Sequence, residues 1–143
     1  MKKKCGRIIK TKKNLIYNKK MDAKLTIITG PKNCGKTLRA NQFTLDCDID
    51  KVVCVKQPEE YVSRVLDYWA SIVKSNTRLV IIDDIDDEIF LYNMMLLYKH
   101  KKLAKMGISL VLVCEKNIKE RKWVRNSLDH NIECYFIGIS EIV

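Results

Sequence analysis

Glycine, proline and histidine are scarce in this 143-residue chain, at five, two and two. The two histidines, His100 and His130, stand apart, without the neighbours a zinc site requires. No apolar run approaches the roughly 18 residues of a membrane span, so no membrane association is expected. The opening MKKKCGRIIK is basic, but only Ile8 and Ile9 are adjacent apolar residues there, so a secretory signal is not expected either. Zinc-finger or redox spacing is missing among the six cysteines, at 5, 34, 47, 54, 114 and 134. Four of them sit in or beside apolar runs, where a thiol acts as a small core residue. All six are therefore expected to be reduced, in a cytoplasmic setting. No Ser-His-Asp arrangement is readable, and Trp69 and Trp123 fall on helical faces suited to packing.

The charge is abundant but unevenly placed. Residues 1–24 carry ten Lys or Arg and one acid, Asp22, a net +9, while the other 119 residues carry +1. The division expected is a basic tail over 1–23 and one domain over 24–143, a length that buries a real core. Such a tail is attracted to phosphate backbones through counterion release, so DNA is an expected partner. A merely solubilising end is the competing reading.

Apolar runs then alternate with helix-length segments. LTIIT (25–29), KVVCV (51–55), RLVIIDD (78–84), ISLVLVC (108–114) and IECYFIGI (132–139) are rich in Val and Ile with little alternation. Continuous runs of this kind suit strands covered on both faces of a parallel sheet. Helices are expected over 36–45, 58–75, 87–107 and 118–129. In the second, Pro58 suits the first turn, and Tyr61, Val62, Val65, Leu66, Trp69, Ile72 and Val73 form one apolar face. In the third, Gly107 is the expected stop. The order β-α-β-α-β-α-β-α-β predicts an α/β fold, a three-layer α/β/α arrangement around a five-stranded, mainly parallel sheet.

Two of the five glycines bracket one loop. GPKNCGKT (30–37) fits the phosphate-loop pattern G-x-x-x-x-G-K-[ST] after a predicted strand and before a predicted helix, as the motif's mechanics require. The glycines let backbone N–H groups turn inward on phosphate oxygens, and the helix start adds its positive end. Gly30, Pro31, Lys32, Asn33, Cys34, Gly35, Lys36, Thr37 and Leu38 are the expected nucleotide-binding residues. Lys36 is placed to reach the β- and γ-phosphates, and Thr37 to hold Mg²⁺. A second element comes from RLVIIDDIDDE, where four apolar residues deliver Asp83 to the C-terminal edge of its strand. Asp83 is the expected Mg²⁺-side acid, and Asp84 is placed to orient or deprotonate an attacking water. Asp86, Asp87 and Glu88 are expected to face solvent and start the next helix.

The loop and the acidic pair resemble the ASCE division of P-loop NTPases, in which one more strand separates the acid strand from the loop strand. Residues 99–132 further resemble the FtsK–HerA type, especially poxvirus-type genome-packaging ATPases of viruses and mobile elements. The shared features are the basic-His pair Lys99-His100, the strand start Ile108-Ser109, a polar sensor position at Glu115, and Arg125-Asn126 on the following helix. The resemblance implies ATP hydrolysis by a ring of subunits, a hexamer or pentamer, that threads double-stranded DNA. It implies Arg125 as an arginine finger, with Arg121 as its competitor. Glu115 stands where the family usually has Gln, and Asn117 is the alternative sensor. A capsid or portal protein is an implied partner, with host cytoplasm or the virion as the location if the chain is viral. CEKN does not supply a guanine reader, which favours ATP over GTP. Two other functions compete, an ATP-dependent adaptor of helicase-loader kind and a small nucleotide or metabolite kinase, for which KERKWVR (119–125) would imitate a lid.

Overall fold

A computed structural model of the chain describes residues 23–60, 63–114 and 134–138, the last five through their backbone alone. Residues 1–22 of the expected tail, the helix over 118–129, and Glu115, Asn117, Arg121 and Arg125 lie outside the described residues. The strands are β1 (Leu25–Thr29), β2 (Val52–Lys56), β3 (Leu79–Ile85), β4 (Ser109–Cys114) and β5 (Cys134–Gly138), and the helices are α1 (Lys36–Asn41), α2 (Val65–Ile72) and α3 (Glu88–His100). The strands pair in parallel in the order β2-β3-β4-β1-β5. One strand, β4, thus lies between β1 and β3. All five strand C-termini consequently share one edge of the sheet, and the 30–37 loop and the Asp83-Asp84 pair emerge from it.

The apolar runs become strands because both faces of the sheet are covered. On one face Leu25, Ile27, Val80, Ile82, Leu110 and Leu112 pack with Trp69 of α2 and with Phe90, Leu91, Met94, Met95 and Tyr98 of α3. On the other, Ile28, Leu79, Ile81, Val111 and Val113 pack with Ala40 of α1, flanked by Phe43. Burial of each such aliphatic side chain contributes about 1.5–3 kcal/mol, so the first and larger cluster dominates. Alternate residues of one strand serve opposite faces, which is why the runs read as continuous rather than alternating.

Helix boundaries depart from the expectations. Residues 58–60 are not helical, and α2 begins only at Val65. Gln57 is drawn instead into bonds with Asp83, Asp86 and Asp87, which tie the chain just before Pro58 to the end of β3. Of the expected apolar face, Trp69 is buried, Val65, Ile72 and Val73 are half-buried, and Leu66 is exposed. Tyr61 and Val62 lie outside the described residues. The segment 36–45 splits into α1 and a 3-10 segment, Gln42–Asp46.

The third helix ends at His100 rather than Gly107. Lys102 takes φ +52, and the N–H groups of Leu103 and Lys102 donate to the carbonyls of Tyr98 and Lys99 at 3.2 and 3.1 Å. This is a Schellman closure with lysine at the position glycine usually fills. Gly107, at φ +79, closes a second such turn, with Ile108 N–H on Leu103 carbonyl at 3.0 Å.

Candidate functional site

The turn after β1 is shaped by its left-handed residues. Asn33 sits at φ +58 and Gly35 at φ +96, the latter just before α1. A side chain added at Gly35 would meet nothing within 4 Å, so the requirement for glycine there is conformational rather than steric. The two reversals fold the loop back over the C-terminal edge of the sheet, and Lys36 follows at the first helical position.

Lys36 is only 8% exposed, unusual for a lysine. Its Nζ donates to the carbonyls of Gly30 at 2.7 Å and Pro31 at 2.5 Å. The ammonium is thus held against the loop by two main-chain carbonyls, which satisfy two of its three donors. Thr37, one residue on, donates its hydroxyl to Asp83 Oδ2 at 2.7 Å. The other oxygen of Asp83, Oδ1, accepts the N–H of Asp84 at 2.7 Å.

The acidic pair lies at an irregularity in β3. Its register with β4 shifts between Ile82 and Ile85, so Asp83 and Asp84 fall where the ladder breaks. Asp84 takes φ +54, a left-handed conformation that costs a non-glycine residue on the order of 1 kcal/mol. Its carboxylate pairs with Lys56 Nζ at 3.4 Å, with both side chains largely exposed. Asp87 caps α3, its Oδ1 accepting the N–H groups of Ile89 and Phe90. Asp86 Oδ1 accepts from Gln57 Nε2 at 2.6 Å.

Between loop and acids opens a cleft of about 520 Å³, lined by Lys32, Asn33, Gly35, Lys36, Thr37, Leu38, Asp83, Asp84, Val113 and Cys114. That volume lies within the range usual for small-molecule sites. Six of the nine residues expected from sequence to bind nucleotide line this cleft, and Gly30 supplies a carbonyl to the Lys36 ammonium. Pro31 supplies the second carbonyl, and Cys34 is buried in the loop. Leu38 is on the rim, 70% exposed.

Three participants were not legible in the sequence. Cys114, the last residue of β4, lines the cleft, and burial pushes its thiol up to about 12, against a smaller opposing pull from the Lys36 ammonium. Lys56 and Gln57 reach the acidic segment from the end of β2. A strand-end position on a neighbouring strand is the only signal they carried, and it depends on strand order. Among the described residues no cluster of three or more His, Cys, Asp or Glu is built to hold a metal, and no helix is long and apolar enough to cross a membrane.

The arrangement therefore places a buried cation, a hydroxyl and a carboxylate around one cleft. A polyanion entering it would meet the Lys36 ammonium and loop amides, and a divalent ion would meet Thr37 and Asp83. No protein-family model matches the chain, and no curated protein matches it.

Proposed function

We propose that this chain binds ATP in the cleft between the 30–37 loop and Asp83-Asp84, and hydrolyses it. The observation that carries the reading is the bond from Thr37 Oγ1 to Asp83 Oδ2 at 2.7 Å, made beside the Lys36 ammonium by residues 46 positions apart. A strand order with β4 between β1 and β3 supports assigning the fold to the ASCE type of P-loop NTPase, with its three-layer α/β/α core.

The residues fit the implied Mg²⁺. That ion is ordinarily held by one or two carboxylates, with phosphate oxygens and water completing its shell, so the missing third protein carboxylate is no obstacle. Thr37 and Asp83 would hold it, and it would supply charge neutralisation at the phosphoryl oxygens. Lys36 would exchange its two loop carbonyls for phosphate oxygens. Asp84 would orient the attacking water and accept its proton.

The Lys56 pair bears on that last role. The Lys56 ammonium occupies the Asp84 carboxylate at 3.4 Å, which favours the competing reading of a non-hydrolysing, ATP-dependent adaptor. But an exposed pair of this kind is worth about 0–1 kcal/mol, so Lys56 can swing aside at little cost when a water approaches. The ATPase reading is therefore preferred.

The finer reading is a motor translocating or packaging double-stranded DNA as a ring. It is supported by the resemblance over 99–132 and by the net +9 of residues 1–24. Turnover measured with and without duplex DNA, together with mass by light scattering, tests it. Basal hydrolysis that rises with DNA and with assembly is expected. A monomer indifferent to DNA at low salt would remove the motor reading and leave the ATPase. Phosphate transfer to a nucleoside monophosphate would favour the kinase instead.

A further inference from the structure

Gln57 is bonded to one short acidic segment through its backbone and through both ends of its carboxamide. Its backbone N–H donates to Asp83 carbonyl at 2.9 Å. Its Oε1 accepts the N–H groups of Asp86 at 3.1 Å and Asp87 at 3.0 Å, and its Nε2 donates to Asp86 Oδ1 at 2.6 Å. One residue thus holds both ends of the stretch from Asp83 to Asp87. Asp84 lies inside that stretch, at φ +54 and in a register break.

Backbone held in a sparsely populated region persists when its surroundings over-determine it. Here the constraint on the downstream side of Asp84 is shared between Ile85, buried in the core and paired with Cys114 of β4, and the Gln57 carboxamide on Asp86 and Asp87. Asp84, which lines the cleft, therefore sits between two tethers made by the same residue. A carboxamide is the side chain that satisfies this turn, because it both accepts from two amides and donates to a carboxylate.

We propose that Gln57 is a positioning residue, bracing Asp84 in the geometry it needs to handle the attacking water. The inference rests on the ATPase reading. It assigns to the β2 end a role in turnover, not in nucleotide affinity, because Gln57 is not among the cleft-lining residues. Misplacement by about 1 Å is enough to cost on the order of a hundredfold in rate.

Two measurements on the full chain test it. Amide exchange without nucleotide is independent of any activity. Gln57→Ala is expected to speed exchange at Asp86 and Asp87 at least tenfold while β4 amides stay protected, and unchanged exchange at those two amides would overturn the brace. In ATP turnover, Gln57→Ala is expected to lower kcat at least tenfold with KM within twofold. Gln57→Glu should be as poor, because it sets a carboxylate against Asp86. Combining Gln57→Glu with Asp86→Asn exchanges donor and acceptor and should restore kcat to within about threefold of the wild type. Wild-type kcat in Gln57→Ala, a raised KM with kcat unchanged, or no recovery in the double variant would each overturn the positioning role. A wild-type chain without turnover would remove the ATPase reading itself, and the brace would then stand or fall on exchange alone.

Discussion

Thr37 and Asp83 stand 46 positions apart in the chain and 2.7 Å apart at the cleft, hydroxyl donating to carboxylate. The first lies in the first turn of α1 after β1, and the second comes from β3, a strand that does not pair with β1. The two converge because β4 spaces β1 and β3 along one edge of the sheet.

Asp83→Asn keeps the shape and can still accept from Thr37, but it removes the charge. The expected result is nucleotide affinity that no longer responds to Mg²⁺, read by titration with and without the metal. Asp84→Asn is expected to spare binding and cut turnover at least a hundredfold. Equal loss of binding in both variants would count against their separate roles.

Gly35→Ala meets no neighbour, so its cost is the strain of φ +96, about 1–2 kcal/mol. The loop would relieve that strain by moving. A modest fall in melting temperature with at least a tenfold loss of nucleotide affinity is expected. Unchanged affinity would mean that the loop's left-handed turn is not what binds.

Cys114 gives a pH dependence of definite sign. Its thiol is raised by burial from an ordinary 9.0 to about 12 in the folded chain. The folded state therefore holds this proton more tightly than the unfolded state. Its contribution to stability is complete below about pH 9 and is lost as pH rises toward about 12. Between those values its share of the stability falls by about 1.4 kcal/mol per pH unit. Thermal denaturation from pH 8 to 11 should show a shallower decline in Cys114→Ala than in the wild type. Parallel declines would contradict the assignment.

Deleting residues 1–20 should weaken binding to duplex DNA and flatten its salt dependence, since each phosphate that the tail no longer neutralises lowers the slope by about 0.9. If rings form, Arg125→Ala should lose turnover, and mixing it with Lys36→Ala subunits should restore part of it. Salt-titrated binding and mixed-subunit assays read these two outcomes.

The strands were legible because parallel strands buried on both faces leave continuous Val and Ile runs, and each lies within two residues of its expected position. The loop was legible because its chemistry is local, fixed by Gly30, Gly35, Lys36 and Thr37 in eight positions. The start of α2 was not, because Pro58 and the acids after it favour a helix locally, whereas Gln57 is claimed by residues about 30 positions away. Nor was the end of α3, where Lys102 adopts a conformation that lysine rarely takes. Lys56, Gln57 and Cys114 join the cleft or its acids through tertiary placement alone.

Lys36 is the residue on which the account turns, since its ammonium is poised on the Gly30 and Pro31 carbonyls beside the cleft. Gly30 is half-buried and Pro31 exposed, so water can replace the ammonium at both carbonyls, and Lys36→Ala is expected to lose only about 0.5–1.5 kcal/mol of stability. The most direct measurement is calorimetric titration of the folded chain with ATP and Mg²⁺, run beside Lys36→Ala at a temperature where both are folded. The account predicts saturable one-to-one binding by the wild type and none by the variant. No saturable heat from the wild type, or equal heat from both, would contradict it.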